Sequence, residues 1–192
     1  ADYRLAPEHP FPAAVDDAAS SCMGLLDAGV PAGRIVLAGD SAGGGLSVAA
    51  ALRLRELGRP RHAGLVLFSP WADLTHRPPA PAPAGETMLT REMINESAAR
   101  YLGGRDPRDP LASPVFGDLG GMPPALIQVG TDELLLGDSE GLQARFREAG
   151  VESILQVYPR RWHVFQMHAG MLADSDRALD EVAAFVRRRT AA

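Results

Sequence analysis

The sequence predicts an α/β domain built on a mostly parallel sheet with helices on both faces. Two observations carry this: short, continuously apolar runs of strand length, and amphipathic stretches that alternate with them along the whole chain. The strand-like runs fall at residues 34–38, 64–68, 125–129 and 153–158. Between them, residues 12–28 place Val15, Ala18, Ala19, Cys22, Leu25 and Leu26 on one side of a helix that Gly29 and Pro31 stop. Residues 42–57 form the next helix, ended by Gly58, and a further one is expected around residues 139–149. The last helix, residues 174–189, shows Leu179, Val182, Ala183 and Val186 at helical spacing. Its closing Arg187, Arg188 and Arg189 complement the negative end of the helix dipole and read as a solvated helix end. Residues 1–4 read as the end of a strand already running. In a parallel sheet of this kind, reactive groups belong on the loops at the carboxyl ends of the strands.

One segment breaks the alternation. Residues 70–110 read as an irregular insertion within an otherwise single domain spanning residues 1–192, with a helix at 91–102 and an extended proline-rich stretch at 78–83.

Composition removes several functions. The chain has 192 residues and a formal charge of −5, which argues against a nucleic-acid surface. No apolar run approaches the ~18 residues of a membrane span; the longest, residues 42–52, is rich in Gly and Ala. The single cysteine, Cys22, excludes an internal disulfide and a cysteine-rich metal site. All 19 basic residues are arginine, so a P-loop ATPase and a Schiff-base enzyme both lack their defining lysine. No signal peptide is visible at residue 1, and a cytoplasmic location is the expectation.

The chemistry starts at Gly39-Asp40-Ser41-Ala42-Gly43, a Gly-x-Ser-x-Gly pattern between a strand and a helix. Such a serine sits on a sharp, strained turn that lifts its oxygen off the sheet. Gly39 and Gly43 are expected where neighbouring backbones approach too closely for a side chain. The start of the following helix presents free N–H groups to a developing oxyanion, Ala42 first among them.

A serine nucleophile needs a base and an acid, in the chain order Ser, Asp or Glu, then His. Of the five histidines, His9 and His62 come too early, His76 lies in the irregular segment, and His168 makes no metal pair with His163. His163 follows the last strand, where a base is expected. The acid is open on the residues alone: Asp132, Glu133 and Asp138 all follow the strand at 125–129, and each also suits a helix start.

Longer stretches carry a resemblance. Residues 2–14, Asp-Tyr-Arg-Leu-Ala-Pro-Glu-His-Pro-Phe-Pro-Ala-Ala, together with Gly39-Asp40-Ser41-Ala42-Gly43-Gly44, resemble the hormone-sensitive-lipase-like esterases of the α/β-hydrolase superfamily. Ser69-Pro70-Trp71-Ala72-Asp73-Leu74, Asp109-Pro110-Leu111-Ala112-Ser113-Pro114 and Trp162-His163-Val164-Phe165 are similar to that family's signatures. The resemblance implies an α/β-hydrolase fold and a serine carboxylesterase acting on short- to medium-chain acyl esters, with Ser41 and His163 as nucleophile and base. A gapless comparison places the acid at Glu133; a one-residue slip would place it at Asp132. No cofactor or metal is implied, the partner is a small-molecule ester, and a homo-oligomer is left open. The same machinery would serve an amidase or deacetylase, and the superfamily includes non-catalytic binders. The family's His-Gly-Gly-Gly oxyanion loop and amino-terminal cap have no counterpart in these residues. The chain is therefore expected to lack the amino-terminal strands and cap and, alone, to be nearly inactive. Arg160-Arg161 makes the histidine loop more basic than the family suggests.

Overall fold

The computed structural model describes residues 1–75 and 83–191, so the expectations for His76 and for the proline-rich stretch at 78–82 lie outside the described residues. Among the described residues, four strands, β1 (Val36–Asp40), β2 (Gly64–Phe68), β3 (Ala125–Gly130) and β4 (Ser153–Tyr158), form one parallel sheet in the order β1-β2-β3-β4. The α-helices of the described residues connect or flank them: α1 (Ala13–Asp27), α2 (Ala42–Glu56), α3 (Arg91–Leu102), α4 (Leu136–Glu148) and α5 (Ala173–Thr190).

Side chains alternate across the sheet with period two, and each face has its own cover. Leu65, Leu67, Ala125 and Ile127 point to one face and pack with residues of α1, α2 and α4, among them Val48, Leu142 and Phe146. Val66 and Leu126 point to the other face, where Phe185 of α5 closes over them. Helix α2 is buried nearly all round, between the sheet and α1, which explains its run of small and apolar residues. The segment between β2 and β3 is anchored as well. Leu74, Ala98, Leu102 and Ala112 form a second cluster with Phe11, Val15 and Ala49.

Three expectations need correction. Residues 1–4 form no strand; Arg4 instead grips Asp17 of α1 through its backbone N–H (2.9 Å), Nε (2.9 Å) and Nη2 (2.8 Å). Those bonds hold the Asp17 carboxyl low, at about 2. In α5, Val182 and Val186 pack against the sheet as expected, but the fully buried residues are Ser175, Ala178 and Phe185, and Leu179 is left exposed. The α5 terminus is only partly solvated, because Arg189 pairs with Glu152 and lies 5.3 Å from the Phe185 ring centre.

One buried polar residue stands out in the middle of β3. Gln128 is fully buried, and its amide donates to Gln156 Oε1 and to the Ala178 carbonyl, both at 2.8 Å, while accepting from Gln166. With its own amide paired on both ends, Gln128 fixes β3, β4 and α5 relative to one another beneath the carboxyl ends of the strands. Along the outer side of β1, a groove of about 400 Å³ is lined by residues that include Val36, Ala38, Cys22, Leu25, Leu46 and Ala50.

Candidate active site

Ser41 follows β1 directly and sits at φ 53°, ψ −120°, a conformation that costs a side-chain-bearing residue about 1–3 kcal/mol. Its surroundings hold it there. The Ser41 N–H donates to the Phe68 carbonyl at the end of β2 (2.9 Å), and its own carbonyl accepts from Trp71 N–H (2.8 Å) and Gly44 N–H (3.0 Å). The expected sharp turn is present, but its glycines are used differently. A side chain on Gly39 would overlap the Gly43 carbonyl, one on Gly44 would press on Pro70, and one on Gly45 would overlap the Trp71 carbonyl. Gly43 faces open space, so the expectation that it is sterically required is wrong. The close approach is between the first turn of α2 and the strand-like segment after β2, one residue further on.

Glu133 and His163 meet because β3 and β4 continue side by side past the sheet. Gly130 is in register with Tyr158, Thr131 N–H donates to the Tyr158 carbonyl (3.0 Å), and Asp132 N–H donates to the Arg161 carbonyl (2.9 Å). A side chain on Gly130 would overlap the Arg161 carbonyl, so only glycine permits this crossing. His163 Nδ1 lies 2.9 Å from Glu133 Oε2, with both residues at most 3% exposed. Against a carboxylate acceptor Nδ1 carries the proton, which leaves Nε2 free to accept one. Glu133 Oε1 accepts from Gly130 N–H (2.6 Å) and from Ser69 Oγ–H (2.8 Å).

The other two carboxylates are engaged elsewhere. Asp132 accepts from Thr131 Oγ1 (2.9 Å) and packs against Gly85. Asp138 lies inside α4 and accepts from the Ala72 and Asp73 N–H groups, at 3.0 and 2.9 Å. Of the remaining histidines, His168 packs edge-on against Trp162 with ring centres 5.3 Å apart. His62 is buried before β2, and burial lowers its pKa, keeping the ring neutral. Arg161 is tied to Asp174, with Nε to Oδ2 at 2.7 Å, so its charge braces the histidine loop against α5.

Beside the serine turn lies a cavity of about 300 Å³, lined by residues that include Ala42, Leu46, Trp71, Leu74, Tyr101 and Leu111. Ala42, at the start of α2, is the point where a free helix N–H would face it.

With this geometry in view, residues 1–167 match the family model described as alpha/beta hydrolase fold. The chain belongs to the α/β-hydrolase family. Its resemblance to the hormone-sensitive-lipase-like group is borne out by solved structures. An esterase/lipase from an uncultured bacterium is 43% identical, with a TM-score of 0.94 over 100% of this chain and 65% of that one. An esterase of the bacterial hormone-sensitive lipase family is 41% identical, with a TM-score of 0.91 over 98% of this chain and 64% of that one. Among curated proteins, an acetyl-hydrolase of Streptomyces hygroscopicus is 45% identical over 98% of this chain, and an esterase of Acinetobacter venetianus is 36% identical over 96%. The chain spans 64% and 62% of the lengths of those two relatives.

Sequence reasoning quoted Ser69 within a family signature but gave it no task. The available signal was a hydroxyl residue directly following the apolar strand β2, level with the serine turn.

Two outcomes follow from this geometry. In urea unfolding, Gly45→Ala loses about 1–3 kcal/mol, because the added methyl would overlap the backbone carbonyl of Trp71. Gly43→Ala is neutral or up to about 1 kcal/mol stabilising, from helix propensity alone. In turnover of an activated ester, Glu133→Gln costs on the order of 10³–10⁴-fold in kcat. Asp132→Asn stays within about threefold, and equal losses in the two variants would reject the assignment of the acid.

Proposed function

We propose that this chain carries the catalytic residues of a serine carboxylesterase for short- to medium-chain acyl esters. The observation that carries the reading is the pairing of a serine on a strained strand-to-helix turn with a buried histidine–glutamate hydrogen bond at neighbouring strand ends. Ser41 Oγ attacks the ester carbonyl while His163 Nε2 takes its proton. The imidazolium then gives that proton to the leaving alcohol, and water releases the acyl group through the same base. Glu133 holds the Nδ1–H tautomer and stabilises the charged ring as it forms. Ala42 N–H supplies one donor to the tetrahedral oxygen; further donors would come from a His-Gly-Gly-Gly loop of the kind the family carries.

The mostly apolar cavity of about 300 Å³ beside Ala42 is at the small end of ligand-site sizes, which suits a compact acyl or alcohol group rather than a long lipid chain. The printed names of the Streptomyces and Acinetobacter relatives, acetyl-hydrolase and esterase, support the same class. The substrate is a small molecule.

The test uses the longest polypeptide that the gene encodes. A fluorophosphonate probe labels Ser41, and Ser41→Ala abolishes both labelling and p-nitrophenyl acetate turnover above background, a loss of ~10³-fold or more. An unlabelled, folded protein would point to a non-catalytic binder, and turnover of acyl amides in preference to esters would point to an amidase.

A further inference from the structure

We propose that Ser69 is a positioning residue for the His163–Glu133 pair, its hydroxyl pinning the carboxylate on one side and the backbone of the histidine loop on the other. The inference rests on the esterase reading and deepens it.

Ser69 directly follows β2 and is fully buried. A hydroxyl has one proton to donate and two lone pairs to accept with. Here the proton goes to Glu133 Oε1 (2.8 Å), and one lone pair takes the Val164 N–H (3.2 Å), immediately after His163. A single oxygen therefore ties together the ends of three strands: its own, the loop after β3 that carries Glu133, and the loop after β4 that carries His163. The backbone adds a second argument. Ser69 stands at φ 45° and Val164 at φ 51°, both in the left-handed region. At Ser69 the chain alone would favour glycine, so a serine there is explained by its side chain.

Ser69 touches none of the reacting atoms in this reading. Without its hydroxyl, Glu133 Oε1 keeps only Gly130 N–H, and Val164 loses its tether across the loop. The imidazole would then sample orientations in which Nε2 is misaligned with Ser41. The loss should therefore appear in kcat and not in substrate binding.

The experiment measures kcat and KM for p-nitrophenyl acetate in Ser69→Ala and Ser69→Gly, each alone and combined with E133Q, in the longest polypeptide that the gene encodes. Ser69→Gly is the decisive variant, because it removes the hydroxyl while suiting the backbone. Both single variants should lose about 10–100-fold in kcat with KM within about threefold, the size expected for an outer partner of a reacting group. Either double variant should fall within about twofold of E133Q alone, because a residue acting through Glu133 has nothing further to lose. Wild-type kcat in Ser69→Gly overturns the proposal and leaves Ser69 as a turn residue. A loss that multiplies with that of E133Q overturns it too, since the hydroxyl would then act independently of the carboxylate. Wild-type kcat in E133Q itself would instead reject the esterase triad on which the proposal stands.

Discussion

Glu133 is 1% exposed, and its buried carboxylate organises the carboxyl end of the sheet. An ionised carboxylate out of water is prohibitively costly unless its lone pairs are met by donors. Three meet it: Gly130 N–H from the end of β3, Ser69 Oγ from the end of β2, and His163 Nδ1 from the loop after β4. Each donor belongs to a different strand end, so satisfying one charge fixes three loops at once. The parallel register supplies the placement, with Gly130 beside Tyr158 and the two chains bonded onward as far as Arg161. A slip in that register would leave the charge unpaired, which makes the site and the sheet mutually dependent.

The second constraint is the strain at Ser41. A residue at φ 53° is kept there only if its neighbours allow nothing else, and here both its N–H and its carbonyl are committed to the segment that runs from Phe68 to Trp71. The same segment supplies Ser69, so the Ser41 turn and the Glu133–His163 pair share one rigid support at the end of β2. Beneath it, α2 is packed on nearly every side and gives the turn no room to relax. The Gln128 network locks β3 to β4 and α5 in the layer below. Order at the site is thus inherited from the middle of the sheet.

Most of this was legible in the sequence, for physical reasons that also explain the failures. Doubly covered parallel strands must be apolar, so residues 64–68 were bounded correctly; the half-exposed edge strand at 153–158 was bounded by its own apolar run, and Thr90 capping Met93 N–H marks the start of the helix at 91–102. The strained turn at Ser41 and the loop position of His163 were legible because a turn motif and a place after the last strand mark them without any tertiary information. The choice between Asp132 and Glu133 could not be made from the residues alone, because adjacent side chains in a loop have no periodicity to say which faces inward. The backbone bond from Asp132 to Arg161 settles the geometry, and its partner lies on another strand end. Ser69 was missed for the same reason: its two partners are 64 and 95 residues away in the chain. The steric requirement for glycine holds at Gly39 and fails at Gly43, and the contacts with Pro70 and Trp71 that impose it at Gly44 and Gly45 cannot be read locally. In α5, Phe185 is the largest buried side chain, its ring closing the far face over Val66 and Leu126, with Val182 and Val186 packed beside it and Leu179 left exposed.

The central claim is that His163 is held by Glu133 through a buried, charge-assisted hydrogen bond, and proton NMR reads that bond directly. The Nδ1 proton, shielded from solvent exchange and shared with a carboxylate, should give a far-downfield resonance in the wild-type protein. It should persist in Asp132→Asn and vanish or move sharply upfield in Glu133→Gln. A downfield resonance unchanged in Glu133→Gln, or lost in Asp132→Asn while Glu133 is intact, would contradict the account.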